Sequence, residues 1–257
     1  MQRNTALEKT KAGQAIIGPI IGFTSPQLVE ICGRIGFDFV FIDCEHGAIS
    51  VDGCEEMLRA AELVSIPTIV RVPGNDPHVI LRYLDAGATG IQVPHVKSKA
   101  EAIAAVQAVK YPPVGKRGMA GARWAEYGFG KPLGDYVKFA NENTMVSLMI
   151  EDAEAVENLD DILSVEGIDI CAIGPSDLAA SLGFVAQTQH PRVQATIDDI
   201  VKRVNAAGKT AGVGGNSDLQ GVRRNMARGA RYITLGLTGF IGSASRELLR
   251  QARESAR

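Results

Sequence analysis

The sequence predicts an α/β protein with the architecture of a (β/α)₈ barrel, on three observations. A short apolar run, a turn and a segment of helical periodicity recur together eight times. The runs are mostly continuous rather than alternating, as in parallel strands that are buried on both faces. The chain has 257 residues, a usual length for one such barrel. A doubly wound open sheet is the alternative, but it usually has fewer strands and a glycine fingerprint after the first, whereas the first turn reads GFTSP.

We therefore expect residues 1–257 to form one barrel domain, and each of its strands can be placed. The eight predicted strands are Ala15–Gly22, Phe39–Glu45, Thr68–Val72, Gly90–Pro94, Val146–Glu151, Asp169–Gly174, Thr210–Gly215 and Tyr232–Thr238. Each is too short for a helix and rich in Val or Ile, or in other apolar residues.

The segments between the strands predict amphipathic helices. In DPHVILRYLDAG and similar stretches, apolar residues lie three and four positions apart. Several stretches begin at a Ser, Asp or Thr cap and end at a glycine, as at Gly36, Gly87 and Gly229. Two longer connections run from Tyr111 to about Thr144 and from Ser181 to Val193. Long loops in this fold are often functional.

Composition excludes several classes of protein. The chain is 46% hydrophobic, and its formal charge of −2 lacks the surplus of Lys and Arg that nucleic-acid binding needs. The longest apolar stretch, Ala15 to Phe23, is too short to span a membrane, and the N-terminus has no signal-peptide pattern. We expect a cytoplasmic protein with neither nucleic acid nor membrane as a partner. The four cysteines form no CxxC pair, which predicts buried thiols rather than disulfides or a zinc site.

Charged residues follow several predicted strands, at the end where barrel active sites lie. Glu151 and Asp177 follow neighbouring strands, so their carboxylates can meet and bind a hard divalent cation such as Mg²⁺ or Mn²⁺. Alternatively, Asp177 caps a helix and Glu151 is a loop acid. Arg71 could hold a substrate carboxylate and polarise a keto oxygen, or form an ion pair at the rim. His46 could act as a general base or bond to loop backbone.

Three further features of the sequence bear on the active site. Lys97 is the only lysine at a strand end that is placed to form a Schiff base, although a helix-cap role is more usual. Glycines near the last two strands could cradle a phosphate or allow close packing; they are Gly212, Gly214, Gly215, Gly236 and Gly239. Asp85 reads from the pattern only as a residue near the end of a helix.

Together these segments resemble the HpcH/HpaI aldolases, metal-dependent class II pyruvate aldolases on a (β/α)₈ barrel of the phosphoenolpyruvate/pyruvate type. The matching segments, in the family's order, are FVFIDCEHGAIS, PTIVRVPGND, LDAGATGIQVPHV, YPPVGKRG, MIEDAEAVENLDDI, EGIDICAIGPSDLAASLG and HPRVQATIDDIVKRVNAAGK. They cover nearly the whole chain.

The resemblance implies a role for each of five residues. Glu151 and Asp177 would bind the divalent metal, Mg²⁺, Mn²⁺ or Co²⁺, together with the carboxylate and keto oxygens of pyruvate. Arg71 would stabilise the pyruvate enolate. His46 falls on the family's base, and Asp85 on the acid that pairs with it. A cation and a guanidinium would then lie where negative charge develops during retro-aldol cleavage.

The resemblance also implies a pocket and a reaction. The backbone at Gly174, Pro175 and Ser176 would line the pyruvate pocket. The reaction would be the reversible cleavage of a 4-hydroxy-2-oxo acid to pyruvate and an aldehyde, with oxaloacetate decarboxylation as a candidate side reaction. An acyl-CoA lyase of the citrate-lyase β or malyl-CoA type is one alternative. A non-catalytic barrel that binds a small acid is another.

Two departures from the family's pattern concern the aldehyde side. Relatives that cleave 4-hydroxy-2-oxoheptanedioate generally carry Gln two residues before the metal-binding Glu, where this chain has Met149. The stretch between Gly118 and Trp124 is shorter than the family's usual loop. Relatives form homo-hexamers, as trimers of dimers, by exchanging the last helix, so we expect an oligomer that exchanges residues from about Thr238 to Ala256.

Overall fold

The computed structural model describes residues 2–255 and contains a closed barrel of eight parallel strands. The strands are β1 (Ile16–Ile21), β2 (Val40–Asp43), β3 (Thr68–Arg71), β4 (Gly90–Val93), β5 (Met145–Met149), β6 (Ile170–Ile173), β7 (Thr210–Asn216) and β8 (Tyr232–Gly236). Each strand pairs with the next, and β1 pairs with β8 in the register Ile16 to Tyr232, which closes the ring. The predicted fold class is confirmed. Each observed strand lies inside its predicted range or extends one residue beyond it, and β2, β5 and β8 end two residues earlier than predicted.

Helices surround the barrel and fill its long connections. They are α1 (Thr5–Lys11), α2 (Pro26–Ile35), α3 (Val51–Leu63), α4 (Pro77–Ala86), α5 (Lys99–Val109), α6 (Leu133–Asn143), α7 (Ala153–Glu157), α8 (Leu159–Leu163), α9 (Pro175–Ser181), α10 (Pro191–Ala206), α11 (Leu219–Ala227) and α12 (Leu237–Ser255). A 3₁₀ segment at Arg123–Gly128 and α6 occupy the first long connection. No helix within residues 2–255 is long and apolar enough to cross a membrane.

The predicted caps form where Ser, Asp and Gly stand at helix ends. The side chains of Ser25, Ser50 and Asp76 accept backbone N–H bonds at the starts of α2, α3 and α4. Gly36 and Gly87 end α2 and α4 with φ of 97° and 118°, a left-handed conformation that glycine adopts without steric cost. These caps fix where each helix begins and ends relative to the strands.

Two apolar layers hold the barrel together. The outer layer lies between strands and helices and contains most of the buried Val, Ile, Leu and Ala. It also holds the four cysteines, which are buried free thiols as predicted. The inner layer fills the barrel, where the rings of Phe39 and Tyr232 stack with centroids 5.1 Å apart. Filling the lower interior leaves only the carboxyl ends of the strands open to a ligand.

The amino end of the barrel is closed by α1. Its Ala6 and Leu7 join the inner apolar layer. The amide of Asn4 donates to the carbonyl oxygens of Thr89 (2.9 Å) and Asn143 (3.1 Å), which ties the start of the chain to β4 and β5. Any substrate site must therefore lie at the opposite end.

The last helix, α12, differs from the others because none of its described residues is buried. It carries exposed Ile241, Leu248 and Leu249. The predicted exchange of this helix between subunits stays a prediction, and Ala256 lies outside the described residues.

Candidate active site

A cavity of about 320 Å³ lies at the carboxyl ends of the strands. Its floor is the inner apolar layer, including Phe41, Met149 and Tyr232. Six of the predicted site residues line it: His46, Arg71, Gly174, Pro175, Ser176 and Asp177. The fold thus brings together residues that lie more than 130 positions apart in the chain.

Arg71, the last residue of β3, is held in place by Asp43, the last residue of β2, and by Glu45, two residues further on. Its Nε and Nη2 donate to the two carboxylate oxygens of Asp43 at 3.0 and 2.6 Å, and its Nη1 lies 3.1 Å from Glu45 Oε2. Asp43 also accepts the backbone N–H groups of Glu45 and His46. Burial alone would raise the pKa of Asp43, but the bonds and charge of Arg71 hold it below its usual value. The guanidinium is therefore charged and fixed before any ligand binds.

Glu151 is a buried carboxylate with one oxygen unused. Only 1% of the residue is exposed. Its Oε1 accepts the backbone N–H of His95 at 3.1 Å, while its buried Oε2 has no hydrogen-bond partner. Burial, with smaller contributions from the charges of Asp177 and Glu45, raises the pKa of Glu151 to about 7. Such an oxygen needs a proton or a cation beside it, because an unpaired buried charge is costly.

Gly174 leaves the space that a ligand on Glu151 needs. A Cβ atom at this position would lie 2.2 Å from Glu151 Oε2 and 3.0 Å from Met149 Cε. A glycine is therefore required here for a steric reason, since any side chain would press on the carboxylate.

The donor set fits a hard divalent cation. Glu151 offers its unused oxygen, and Asp177, at the start of α9, is close enough to raise the pKa of Glu151 by its charge. Within residues 2–255, no group of three or more His, Cys, Asp and Glu side chains is arranged to hold a metal ion. A cation here would have two carboxylates from the chain and would take its other oxygens from water and substrate, as Mg²⁺ commonly does.

His46 and Asp85, expected as a base and its acid partner, are not brought together within the chain. The His46 side chain is 63% exposed, and its Nε2 lies 3.9 Å from Glu45 Oε2. Helix α4 runs from the end of β3 back to the start of β4, which carries Asp85 to the amino end of the barrel. There Asp85 accepts a bond from the buried Arg117 at 2.8 Å. Their pairing stays a prediction.

Sequence reasoning gave no role to His95, which the structure places beside Glu151. Its φ of 52° is left-handed, which is rare for a residue with a side chain. The ring Nδ1 lies 3.1 Å from Asp152 Oδ2, and Nε2 lies 3.8 Å from Glu45 Oε1. Burial would lower the pKa of His95, but the acids around it raise the pKa above its usual value. Its position directly after β4 was the only signal in the sequence.

Lys97, the lysine considered for a Schiff base, lies in an ion pair. Its Nζ is 3.3 Å from Asp152 Oδ1, and its backbone N–H donates to Glu101. Lys97 is not among the residues that line the cavity at the strand ends.

Comparison with known proteins decides the family. Residues 21–243 match the family model described as HpcH/HpaI aldolase/citrate lyase. The chain belongs to this family. A hydroxypyruvate/pyruvate aldolase of Deinococcus radiodurans is 35% identical over 255 residues, which are 99% of this chain and 91% of the relative.

Two further relatives agree with this assignment. A 4-hydroxy-2-oxo-heptane-1,7-dioate aldolase of Salmonella paratyphi A is 37% identical over 234 residues, 91% of this chain and 86% of that protein. The crystal structure of an HpcH/HpaI aldolase/citrate lyase family protein from Burkholderia cenocepacia superimposes with a TM-score of 0.92 at 29% identity, over 97% of this chain and 99% of the other. The protein is therefore an HpcH/HpaI enzyme of the aldolase and lyase class, which acts on carbon–carbon bonds.

Proposed function

We propose that this chain is a divalent-metal-dependent lyase that reversibly cleaves a 4-hydroxy-2-oxo acid to pyruvate and an aldehyde. The observation that carries the proposal is the buried Glu151, whose unused oxygen faces the space at Gly174. Arg71 lies on the same cavity, held by Asp43. A carboxylate that needs a cation, next to a fixed guanidinium, suits a reaction that develops negative charge on a keto oxygen.

Glu151 and Asp177 would hold the cation, for which Mg²⁺, Mn²⁺ and Co²⁺ are the candidates. Bound there, a divalent ion would supply Lewis acidity toward the 2-oxo acid and fix its orientation. The backbone at Gly174, Pro175 and Ser176 would bind and orient the same acid along the cavity wall.

Arg71 would stabilise the enolate of pyruvate that forms when the carbon–carbon bond breaks. Asp43 fixes the guanidinium in one orientation, so little reorganisation is needed as charge develops. Glu45 Oε2, 3.1 Å from Nη1, pairs with the third nitrogen of the guanidinium and helps to hold the side chain in this orientation.

His46 would move the proton of the 4-hydroxyl group during cleavage and return it during addition. Its side chain lines the cavity and is partly exposed, so it is accessible to the aldehyde side of a substrate. The acid partner implied by the family is Asp85. Since α4 places Asp85 at the other end of its own barrel, the pair would require Asp85 from a second copy of the chain.

We further propose a homo-oligomer, a hexamer by family resemblance, in which α12 packs on a second copy. In the outer ring, a helix after β8 belongs between α11 and α2. The apolar residues exposed on these three helices are Ile31, Ile35, Leu219, Ile241, Leu248 and Leu249. Changing Leu248 and Leu249 together to Glu should lower the mass measured by light scattering.

The test of the proposed activity follows pyruvate release from a 4-hydroxy-2-oxo acid. We expect activity with Mg²⁺, Mn²⁺ or Co²⁺, its loss with EDTA, and its return when metal is added. Glu151→Ala and Asp177→Ala should abolish metal binding while circular dichroism stays unchanged. Pyruvate release that is unchanged by EDTA would contradict the proposal. So would a covalent substrate adduct on Lys97 after borohydride reduction.

An acyl-CoA lyase is the second candidate, because the matching family model spans aldolases and citrate lyases. Cleavage of malyl-CoA without cleavage of free 4-hydroxy-2-oxo acids would favour it. The same carboxylates and Arg71 would then act on a thioester substrate.

A further inference from the structure

A second cavity, of about 290 Å³, adjoins the candidate active site at the ends of β6 and β7. Pro175, Ser176, Gly214 and Gly215 line both cavities and so form the wall between them. Two of these four residues have no side chain, and Ser176 contributes only a hydroxymethyl group. Only Pro175 places a ring in this wall, so backbone makes up much of the boundary between the two cavities.

The second cavity is lined mainly by neutral hydrogen-bonding side chains. These are Ser176, Thr188, Gln189, Gln194, Asn216, Ser217 and Asn225. They offer both donors and acceptors, and a hydroxyl group can pair with both kinds because it donates and accepts hydrogen bonds. By contrast, the floor of the first cavity is apolar, as described above.

Part of this lining is rigid. The amide nitrogen of Asn216 donates to the carbonyl oxygens of Val213 (2.9 Å) and Thr234 (3.1 Å), and its Oδ1 accepts from Asn225 at 2.6 Å. Both asparagines are buried. Their positions are set by the barrel, so the cavity is formed before any ligand enters.

The charges around this cavity largely balance. Arg228 Nε lies 2.9 Å from Asp198 Oδ1, and its Nη2 donates to Gln194. Asp218 caps α11 through the N–H of Gly221. Arg224 is exposed, and its side chain forms no hydrogen bond or ion pair with another of residues 2–255. One free guanidinium beside one carboxylate gives no strong preference for an anion.

We propose that this second cavity is the distal subsite for the acceptor aldehyde and that it takes a neutral chain bearing hydroxyl groups. The proposal rests on the pyruvate aldolase activity proposed above. Gln194 is already paired, because its Oε1 accepts from Arg228 and its Nε2 donates to the carbonyl oxygen of Thr188. The groups that remain for a ligand are the amide of Gln189 and the guanidinium of Arg224, and an anionic chain would meet Asp218. A hydroxylated chain pairs with the amide of Gln189 and with the free donors of Arg224.

The experiment compares aldehydes of matched length as acceptors for pyruvate with Mg²⁺. Erythrose, butanal and succinic semialdehyde each have four carbons and differ in carrying hydroxyls, no polar group or a carboxylate. Glycolaldehyde, with two carbons, is too short to pass the wall and serves as the reference. We expect kcat/KM for erythrose to exceed that for butanal and for succinic semialdehyde by about tenfold, the effect of one well-made hydrogen bond.

Three variants then locate this preference. Arg224→Leu and Gln189→Leu remove hydrogen-bonding groups from the cavity, and each should lower the ratio of kcat/KM for erythrose to that for glycolaldehyde by about threefold. Arg223→Leu is the matched control, because Arg223 is the exposed neighbour that does not line the cavity. It should leave the ratio unchanged.

The possible failures are distinguishable. A ratio that stays at the wild-type value in both Arg224→Leu and Gln189→Leu overturns the subsite while the aldolase activity stands. So does a wild-type preference for succinic semialdehyde or butanal over erythrose. If the wild-type protein adds pyruvate to none of the four aldehydes with Mg²⁺, Mn²⁺ or Co²⁺, the proposed function itself fails, and the subsite fails with it.

Discussion

Lys110 at the amino end of the barrel and Glu151 at the carboxyl end are both buried ionisable groups, but their charges are satisfied differently. Burial lowers the pKa of Lys110 and raises that of Glu151 to about 7. The Lys110 ammonium donates to the carbonyl oxygens of Asn141 (2.7 Å) and Thr144 (2.6 Å). Glu151 keeps one oxygen without a partner. The first arrangement contributes to the stability of the fold, whereas the second retains binding capacity for a ligand at the expense of stability.

The largest effect is expected from replacing Glu151, which should lower catalytic activity and raise stability. Glu151→Gln should lower kcat by about a thousandfold, because the cation loses a charged ligand. The same change should raise the free energy of unfolding of the metal-free protein at pH 8 by roughly 1–3 kcal/mol, since it removes a buried charge. Steady-state kinetics and urea unfolding with EDTA measure the two quantities.

The sign of this stability change depends on pH. The folded-state pKa of Glu151 lies above its unfolded value, so the cost is absent below about pH 4, grows as pH rises, and is complete above about pH 7. Glu154→Gln, an exposed change on α7, is the control and should alter neither quantity. A Glu151→Gln protein that is less stable than wild type at pH 8 would contradict the comparison.

The opposite result is expected at Lys110. Lys110→Met leaves two buried carbonyl oxygens without a donor and removes the cation near Asp169, so the free energy of unfolding should fall by about 2–4 kcal/mol. The value of kcat should stay within about twofold. Lys138→Met, at an exposed position of α6, should change stability by less than about 0.5 kcal/mol. A large loss of kcat in a folded Lys110→Met protein would show that the two ends are coupled.

The affinity for a divalent metal should increase with pH, because Glu151 must lose its proton to bind the cation. Below its pKa of about 7 the cation must displace a proton from this carboxylate, so the affinity for Mn²⁺ should rise about tenfold per pH unit and level off above pH 7. Calorimetric titrations between pH 5.5 and 8.5 measure this slope. A pH-independent affinity would mean that Glu151 is already ionised in the metal-free protein.

The smallest effect is expected at Met149, where relatives carry Gln. The Met149 Sδ lies 3.7 Å from Arg71 Nη1, and a thioether is a weak acceptor. The guanidinium is already fixed by Asp43, so Met149→Gln should change kcat/KM for pyruvate by less than about threefold. A tenfold change in either direction would assign Met149 a part in choosing the substrate.

The sequence predicted most of the fold because its evidence is local. Continuous apolar runs and capped amphipathic segments reveal strands and helices without knowledge of their partners. Arg71 and Glu151 were predicted for the same reason, since each stands at the end of a strand. The contacts of Asp43 and His95 were missed, because their partners are 28 and 56 residues away. The roles of Asp85 and the Gly174 pocket came only from family resemblance.

The hydrogen bonds of Asn4 determine how early during translation α1 can dock on the barrel. Its two acceptors lie 85 and 139 residues further along the sequence. Helix α1 leaves the ribosome before either acceptor, so its docking place is not finished until Asn143 has been made. A substitution in α1 changes a segment that is synthesised before its acceptors and docks late, so it should lower folding yield more than the activity of molecules that have folded.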